Sequence, residues 1–175
     1  FEEALMALVN LLFGGLDTVA SMLGFTARFL AQNPRHRQKL IEQPDLIKTA
    51  IEEIIRRHGL TNTARLVTGD VDIGGVTLKA GDQILVPNAL YGLDDRKFDR
   101  PMEVDFSRPM PIPLGAFGAG AHTCPGAVLA RREIKVFLEE WLPRIPDFSI
   151  RPGTRPVLSA GVVQGVHRLE LVWSK

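Results

Sequence analysis

The chain has 175 residues, 45% of them hydrophobic, with 21 Lys and Arg against 20 Asp and Glu for a formal charge of +1. That balance gives no global pointer to nucleic acid or an anionic membrane, and a single cysteine excludes an internal disulfide and suits a reducing compartment. The length fits one domain with a real core.

Residues 4–31 read as one long helix, apolar on most faces, with Glu2 and Glu3 placed to suit the positive end of its dipole. Length and apolarity raise a transmembrane reading. Asn10, Asp17, Thr18, Ser21 and Arg28 oppose it, because a carboxylate at mid-bilayer costs roughly 2.5–3.5 kcal/mol on insertion scales; a core helix carrying a functional acid is the better account. Inside it stand Gly14-Gly15-Leu16-Asp17-Thr18. Two interior glycines cost about 1 kcal/mol each relative to alanine. They fit a helix face that must stay bare for a bound group, or a helix that opens locally and frees a carbonyl. The carboxyl and hydroxyl beside them are suited to relaying protons.

Pro34 ends this region, and residues 35–43 make a short polar helix. Pro44-Asp45 restarts the chain into an amphipathic helix over 47–58, with Gly59 as its stop. Glu53 and Arg56 stand three apart on one face of it. The period then changes. Runs at Arg65-Leu66-Val67-Thr68, Val71-Asp72-Ile73, Val76-Thr77-Leu78 and Gln83-Ile84-Leu85-Val86 are separated by Gly- and Asp-rich turns, which predicts a small antiparallel sheet. Residues 88–108 read as irregular chain, and Pro109, Pro111 and Pro113 lead into Phe117-Gly118-Ala119-Gly120-Ala121-His122-Thr123-Cys124-Pro125-Gly126. Glycines there allow tight turns and close approach to a flat ligand. A cysteine just ahead of a helix, predicted over 127–141, lies where the dipole favours a thiolate. Two strand-like runs about Gly161 and Gly165, within 152–172, close the chain.

The cysteine loop resembles the haem-binding loop F-x-x-G-x-x-x-C-x-G of the cytochromes P450. Gly14-Gly15-Leu16-Asp17-Thr18 is similar to the family's distal-helix motif, and Glu53-Ile54-Ile55-Arg56 to its E-x-x-R motif. Val104-Asp105-Phe106-Ser107-Arg108 and Ile145-Pro146-Asp147-Phe148-Ser149-Ile150 resemble most the bacterial camphor hydroxylase group. The resemblance runs over residues 1–175 in the order of a P450's C-terminal half. It implies a fold that is mainly α with a small antiparallel β component, with the N-terminal half expected to be missing. It also implies a buried Glu53–Arg56–Arg108 ion cluster, and haem b bound by Phe117, Gly118, Cys124 and Gly126 with Cys124 on the iron. Arg65 and His122 would meet the propionates. Asp17 and Thr18 would deliver protons, and Asn10, Phe13, Gly14, Thr61 and Val163 would line the substrate pocket.

The function so implied is a cytoplasmic bacterial monooxygenase. It would hydroxylate a small apolar, monoterpenoid-like substrate with dioxygen and electrons from a ferredoxin. Arg131 and Arg132 are candidate ferredoxin contacts, or simply solvated charges. The opening Phe1-Glu2-Glu3 lacks a basic leader, so no signal peptide is expected. Thr63 stands where the camphor enzyme has an aspartate and Thr61 where an apolar residue is expected, so camphor itself is not implied. Two other classes stay open: a thiolate-haem protein that uses peroxide or binds gas without monooxygenation, and a non-catalytic haem-free domain.

Overall fold

The computed structural model describes residues 1–174. The opening helix α1 spans Glu2–Gln32, followed by α2 at Pro34–Glu42, a single 3₁₀ turn at Pro44–Leu46 and α3 at Ile47–Arg57. Proline at the first position of both α2 and the 3₁₀ turn explains these restarts, since its missing N–H is unneeded there. After a strand region come the one-turn helix α4 at Asn88–Gly92 and the long helix α5 at Ala127–Arg144. The eight strands are β1 Asn62–Leu66, β2 Val71–Ile73, β3 Val76–Leu78, β4 Gln83–Pro87, β5 Phe148–Ile150, β6 Val157–Ser159, β7 Gly165–Arg168 and β8 Leu171–Trp173.

The core lies where the C-terminal half of α1 (Met22, Phe25, Leu30), Leu40 of α2, α3 and α5 (Ile134, Leu138, Leu142) converge, closed by Phe106 and Phe148. The later turns of helix α3 are buried on every side: Glu52, Glu53, Ile54, Ile55 and Arg56 are consecutive and all buried. Position 24 of α1 is tight as well, because a Cβ on Gly24 would stand 2.9 Å from Val166 Cβ of β7. The first half of α1 is the opposite. Residues 1–17 are exposed all round, including Leu5, Leu8, Leu12, Phe13 and Leu16. The helix is long and apolar enough to span a membrane by length and composition, yet its second half is core.

Several boundaries differ from the sequence expectation, for tertiary reasons. The first strand is Asn62–Leu66, not 65–68, because Asn62 N–H donates to Val162 O (2.8 Å) and Thr61 bridges Val163. A segment 100 residues downstream thus fixes where pairing begins, and Arg65 lies near the strand's end. The single sheet expected over 65–86 is two ribbons, β1–β4 and β2–β3, both antiparallel. The closing segment holds three strands. Antiparallel β6 and β7 form a ribbon, whereas β8 turns back to pair with β5; Phe148, opposite Trp173, is buried against Trp141 (5.8 Å between rings). Residues 88–108 are not wholly irregular, since α4 lies within them. Helix α5 runs three residues past Trp141, through Pro143. The polar helix α2 also carries a buried arginine: Arg37 donates to Leu30 O, Pro146 O and Phe148 O and pairs with Asp147 at 2.7 Å.

Candidate functional site

The cysteine loop is held by its own backbone. Gly118 (φ +71°) and Gly120 (φ +62°) occupy left-handed conformations, and a Cβ on Gly118 would lie 2.9 Å from His122 O. Gly118 N–H donates to Gly115 O at 2.9 Å, and Thr123 closes the short Gly120–His122 turn through both N–H (3.1 Å) and hydroxyl (2.8 Å) onto Gly120 O. Cys124 N–H then returns to Phe117 O at 2.8 Å, which sets the cysteine's position against the start of the loop. Ala127 N–H donates to Cys124 O at 3.3 Å as α5 begins. The thiol is free and exposed. Gly126 has an ordinary φ of −83°, and a Cβ there would stand in normal contact, 3.7 Å from Cys124 Sγ. Its lack of a side chain therefore relieves no strain in the chain itself; it leaves one flank of the sulfur bare.

The loop rests on α4. A Cβ on Gly115 would meet Tyr91 Cβ at 2.6 Å, and one on Gly92 would meet Arg56 O at 2.3 Å. These two close approaches, invisible in the sequence, stack the loop on α4 and α4 on α3.

Beneath lies the ion cluster. Glu53 is fully buried, and each of its carboxylate oxygens accepts two hydrogen bonds. Oε1 receives Arg56 Nε (2.6 Å) and Arg108 Nε (2.9 Å); Oε2 receives Arg56 Nη2 (3.0 Å) and Asp105 N–H (2.9 Å). Arg56 spends its remaining donors on Gly92 O, Pro101 O and Glu103 O at 2.5–2.7 Å. Phe98 stacks under both guanidiniums, 5.1 Å from that of Arg56 and 5.7 Å from that of Arg108. Every polar atom of the pair is matched, as burial demands. The cluster sews the 92–108 segment, which has little regular structure, onto α3.

The neighbouring Glu52 holds a different element. Arg131 of α5 donates Nε and Nη2 to the two oxygens of Glu52 (2.5 and 3.0 Å), Nη1 to Ala127 O (3.0 Å), and lies 4.6 Å from the centre of the Phe117 ring. It is not the free surface cation the sequence suggested, because its donors face inward along α5 rather than toward solvent. Arg132, the next residue, points the other way: it is exposed and makes no ion pair among the described residues. His58, which the sequence did not single out, stacks on Phe25 (5.4 Å, 16°) and is flanked by Phe29. Burial, reinforced by the charges of Arg57, Arg28 and Arg56, pushes it down to about pKa 4.

The remaining sequence candidates are spread over α1, the Thr61–Val163 bridge, β1 and the cysteine loop. Asn10, Phe13, Gly14 and Asp17 share one exposed face of α1, by their spacing of three and four. Helix α1 is unbroken through Gly14-Gly15, so of the two readings of this pair the local opening is absent; nothing approaches within 4 Å of a Cβ at either glycine. Thr18 instead donates its hydroxyl to Gly14 O at 2.5 Å, back-bonding within the helix. Thr61 and Val163 are brought together across an isolated bridge, and Thr61 Oγ1 accepts from Asn88 Nδ2 at 2.7 Å. Arg65 is half-buried on β1 and donates to Ala64 O (2.8 Å), while His122 is exposed on the cysteine loop. No hydrogen bond or ion pair among the described residues joins the α1 face to the cysteine loop.

The family model described as Cytochrome P450 matches residues 1–160. A "Probable cytochrome P450 127A1" of Sinorhizobium fredii is 39% identical over 95% of this chain and 40% of its own length, and the Nocardicin C N-oxygenase of Nocardia uniformis is 33% identical over 94% and 42%. Among solved structures, cytochrome P450 CYP101C1 superposes with a TM-score of 0.90 at 44% identity, covering 95% of this chain and 42% of that one. CYP101J2 gives 0.88 at 41% identity, over 95% and 43%. The chain thus spans about two fifths of the length of the relatives it matches.

Proposed function

Since the chain belongs to the cytochrome P450 family, we propose that it is the haem-holding C-terminal part of a bacterial haem-thiolate monooxygenase. The observation that carries this reading is Cys124: the sole thiol, exposed, at the head of α5, with its backbone pinned to Phe117 O. The residues present fit haem b. A soft thiolate suits iron, Gly126 leaves one flank of the sulfur without a side chain, and nothing stands within 4 Å of a Cβ at Gly120, Gly14 or Gly15. Cys124 would be the iron ligand, with Phe117, Gly118 and Gly126 around it and Arg65 and His122 toward the propionates through charge-assisted bonds.

Bound there, the haem would supply dioxygen activation, with the thiolate favouring O–O cleavage. The chain's own part is positioning and proton supply. Thr18 commits its one hydroxyl hydrogen to Gly14 O, which leaves its oxygen an acceptor toward the open face of α1. Asp17, exposed on that same stretch, can take a proton from solvent and pass it inward. Asn10, Phe13, Gly14, Thr61 and Val163 would border an apolar substrate, with the rest of the enzyme covering the bare first half of α1. A small, monoterpenoid-like substrate is the reading that the resemblance of residues 104–108 and 145–150 to the camphor hydroxylase group supports. Electrons would come from a ferredoxin, with Arg132 rather than Arg131 as the docking cation, in a cytoplasmic enzyme.

The test is the reduced carbonyl complex of the full-length enzyme. The wild type is expected to give the red-shifted band of a thiolate ligand, and Cys124→His to lose both that band and oxygenase activity. A Cys124→Ala protein that kept the band would overturn the assignment.

A further inference from the structure

The cysteine loop touches the rest of the fold through an arrangement that the haem-binding motif does not contain. Arg131 holds three things at once. Its Nε and Nη2 grip the carboxylate of Glu52, buried on α3; its Nη1 holds Ala127 O; and its flat face covers the ring of Phe117 at 4.6 Å. Phe117 begins the loop, and Ala127, the first residue of α5, directly follows its last residue, Gly126. Both are bonded to the iron-ligand residue itself, since Phe117 O accepts Cys124 N–H and Ala127 N–H donates to Cys124 O. One guanidinium therefore clasps both ends of the ten-residue loop and fastens them to α3. Only the geometry of arginine allows this, because a planar fork can pair bidentately along its edge while stacking on its face.

The anchor at the other end is equally firm. Glu52 is 11% exposed in its side chain, and its neighbour Glu53 is locked into the four-bond cluster with Arg56 and Arg108. Two adjacent glutamates of one helix thus split the work. Glu53 secures the 92–108 segment, and Glu52 secures the loop through Arg131.

We propose that Glu52 and Arg131 form a brace that positions Cys124 for the iron, so that Arg131 acts as a positioning residue and governs haem retention. This rests on the haem-thiolate reading above. With the brace intact, the ends of the loop stay fixed relative to α3 and α5, and the sulfur is presented in one place. With it broken, the local Cys124 bonds remain, but the loop is free to shift as a unit and the sulfur is no longer held in one place. Partners standing one step behind a metal ligand typically change affinity by about ten- to a hundredfold when removed.

The experiment uses the full-length ferric enzyme and measures the rate of haem transfer to excess apomyoglobin, together with the band position of the reduced carbonyl complex. Arg131→Gln and Glu52→Gln should each release haem about tenfold faster or more and convert part of the carbonyl complex to the blue-shifted, thiolate-lost form. The double variant should be no worse than either alone, because both remove the same device. Arg131→Lys keeps the charge but loses the fork and the flat stack, so it should fall between. Because the glutamine variants stand to lose stability in general, haem-free unfolding is measured alongside. Variants that release haem at the wild-type rate with an unchanged band, or whose effects simply add, overturn the brace. If the wild type itself lacks the thiolate band, it is the haem-thiolate reading that has failed instead.

Discussion

Replacing Glu53 by glutamine changes one atom and should nearly unfold the protein. The glutamate's two oxygens accept four hydrogen bonds, two each, and three of the four donors belong to guanidiniums. Whichever way the amide of a glutamine is turned, its NH₂ faces two donors, so two bonds are lost and replaced by repulsion. Charge-assisted bonds are worth about 1.5–3 kcal/mol each. The loss is therefore about 3–6 kcal/mol, which agrees with the roughly 3–5 kcal/mol seen when one side of a buried ion pair is removed. Arg56, with no exposed side-chain surface, cannot turn to water for relief. Against a total stability of about 5–15 kcal/mol this is decisive. The assay is urea unfolding of the full-length enzyme followed by circular dichroism, with haem content measured on the purified protein. Glu53→Gln should lower the midpoint severely or yield haem-poor, aggregated protein, whereas Glu52→Gln should stay folded and show its defect in haem release. A Glu53→Gln enzyme with wild-type midpoint and full haem loading would refute the reasoning.

Two further expectations concern groups outside the loop. Thr18→Ala removes the acceptor oxygen on the open face of α1 and should divert reducing equivalents to peroxide, while Asp17→Asn should slow turnover strongly with little change in substrate affinity; unchanged rate and coupling in both would exclude a proton-relay role. His58 is neutral in the folded state, with a pKa lowered from 6.5 to about 4 by burial and by neighbouring arginines. Between those values the unfolded chain binds the extra proton, so stability is complete above about pH 6.5 and falls as pH drops toward 4, by at most roughly 3 kcal/mol. His58→Phe, which preserves the stack on Phe25, should flatten that decline in urea unfolding between pH 7 and 4.5; parallel curves for variant and wild type would show that His58 contributes nothing to it.

Local patterns in the sequence determine the elements and the chemistry of this protein. Proline and glycine mark where α1 stops and where α2 and α3 start and stop, and the spacing of Glu53 and Arg56 puts both on one helix face. The glycine-rich run around the lone Cys124 marks the loop, because left-handed turns such as those at Gly118 and Gly120 are open to few other residues. Everything that depends on a distant partner was decided by the tertiary structure. The start of β1 is set by Val162 and Val163, and β8 pairs with β5 because Trp173 and Phe148 close over Trp141. Helix α4 exists within an apparently irregular stretch because Gly92 and Gly115 let α3 and the cysteine loop press against it. The same limit governs the arginines. Arg131 and Arg132 are adjacent and chemically identical in the sequence, yet helical geometry turns one toward Glu52 and Phe117 and leaves the other in solvent. A side chain's type fixes what it can bind, but only the packed fold fixes which of its possible partners lies within 3 Å.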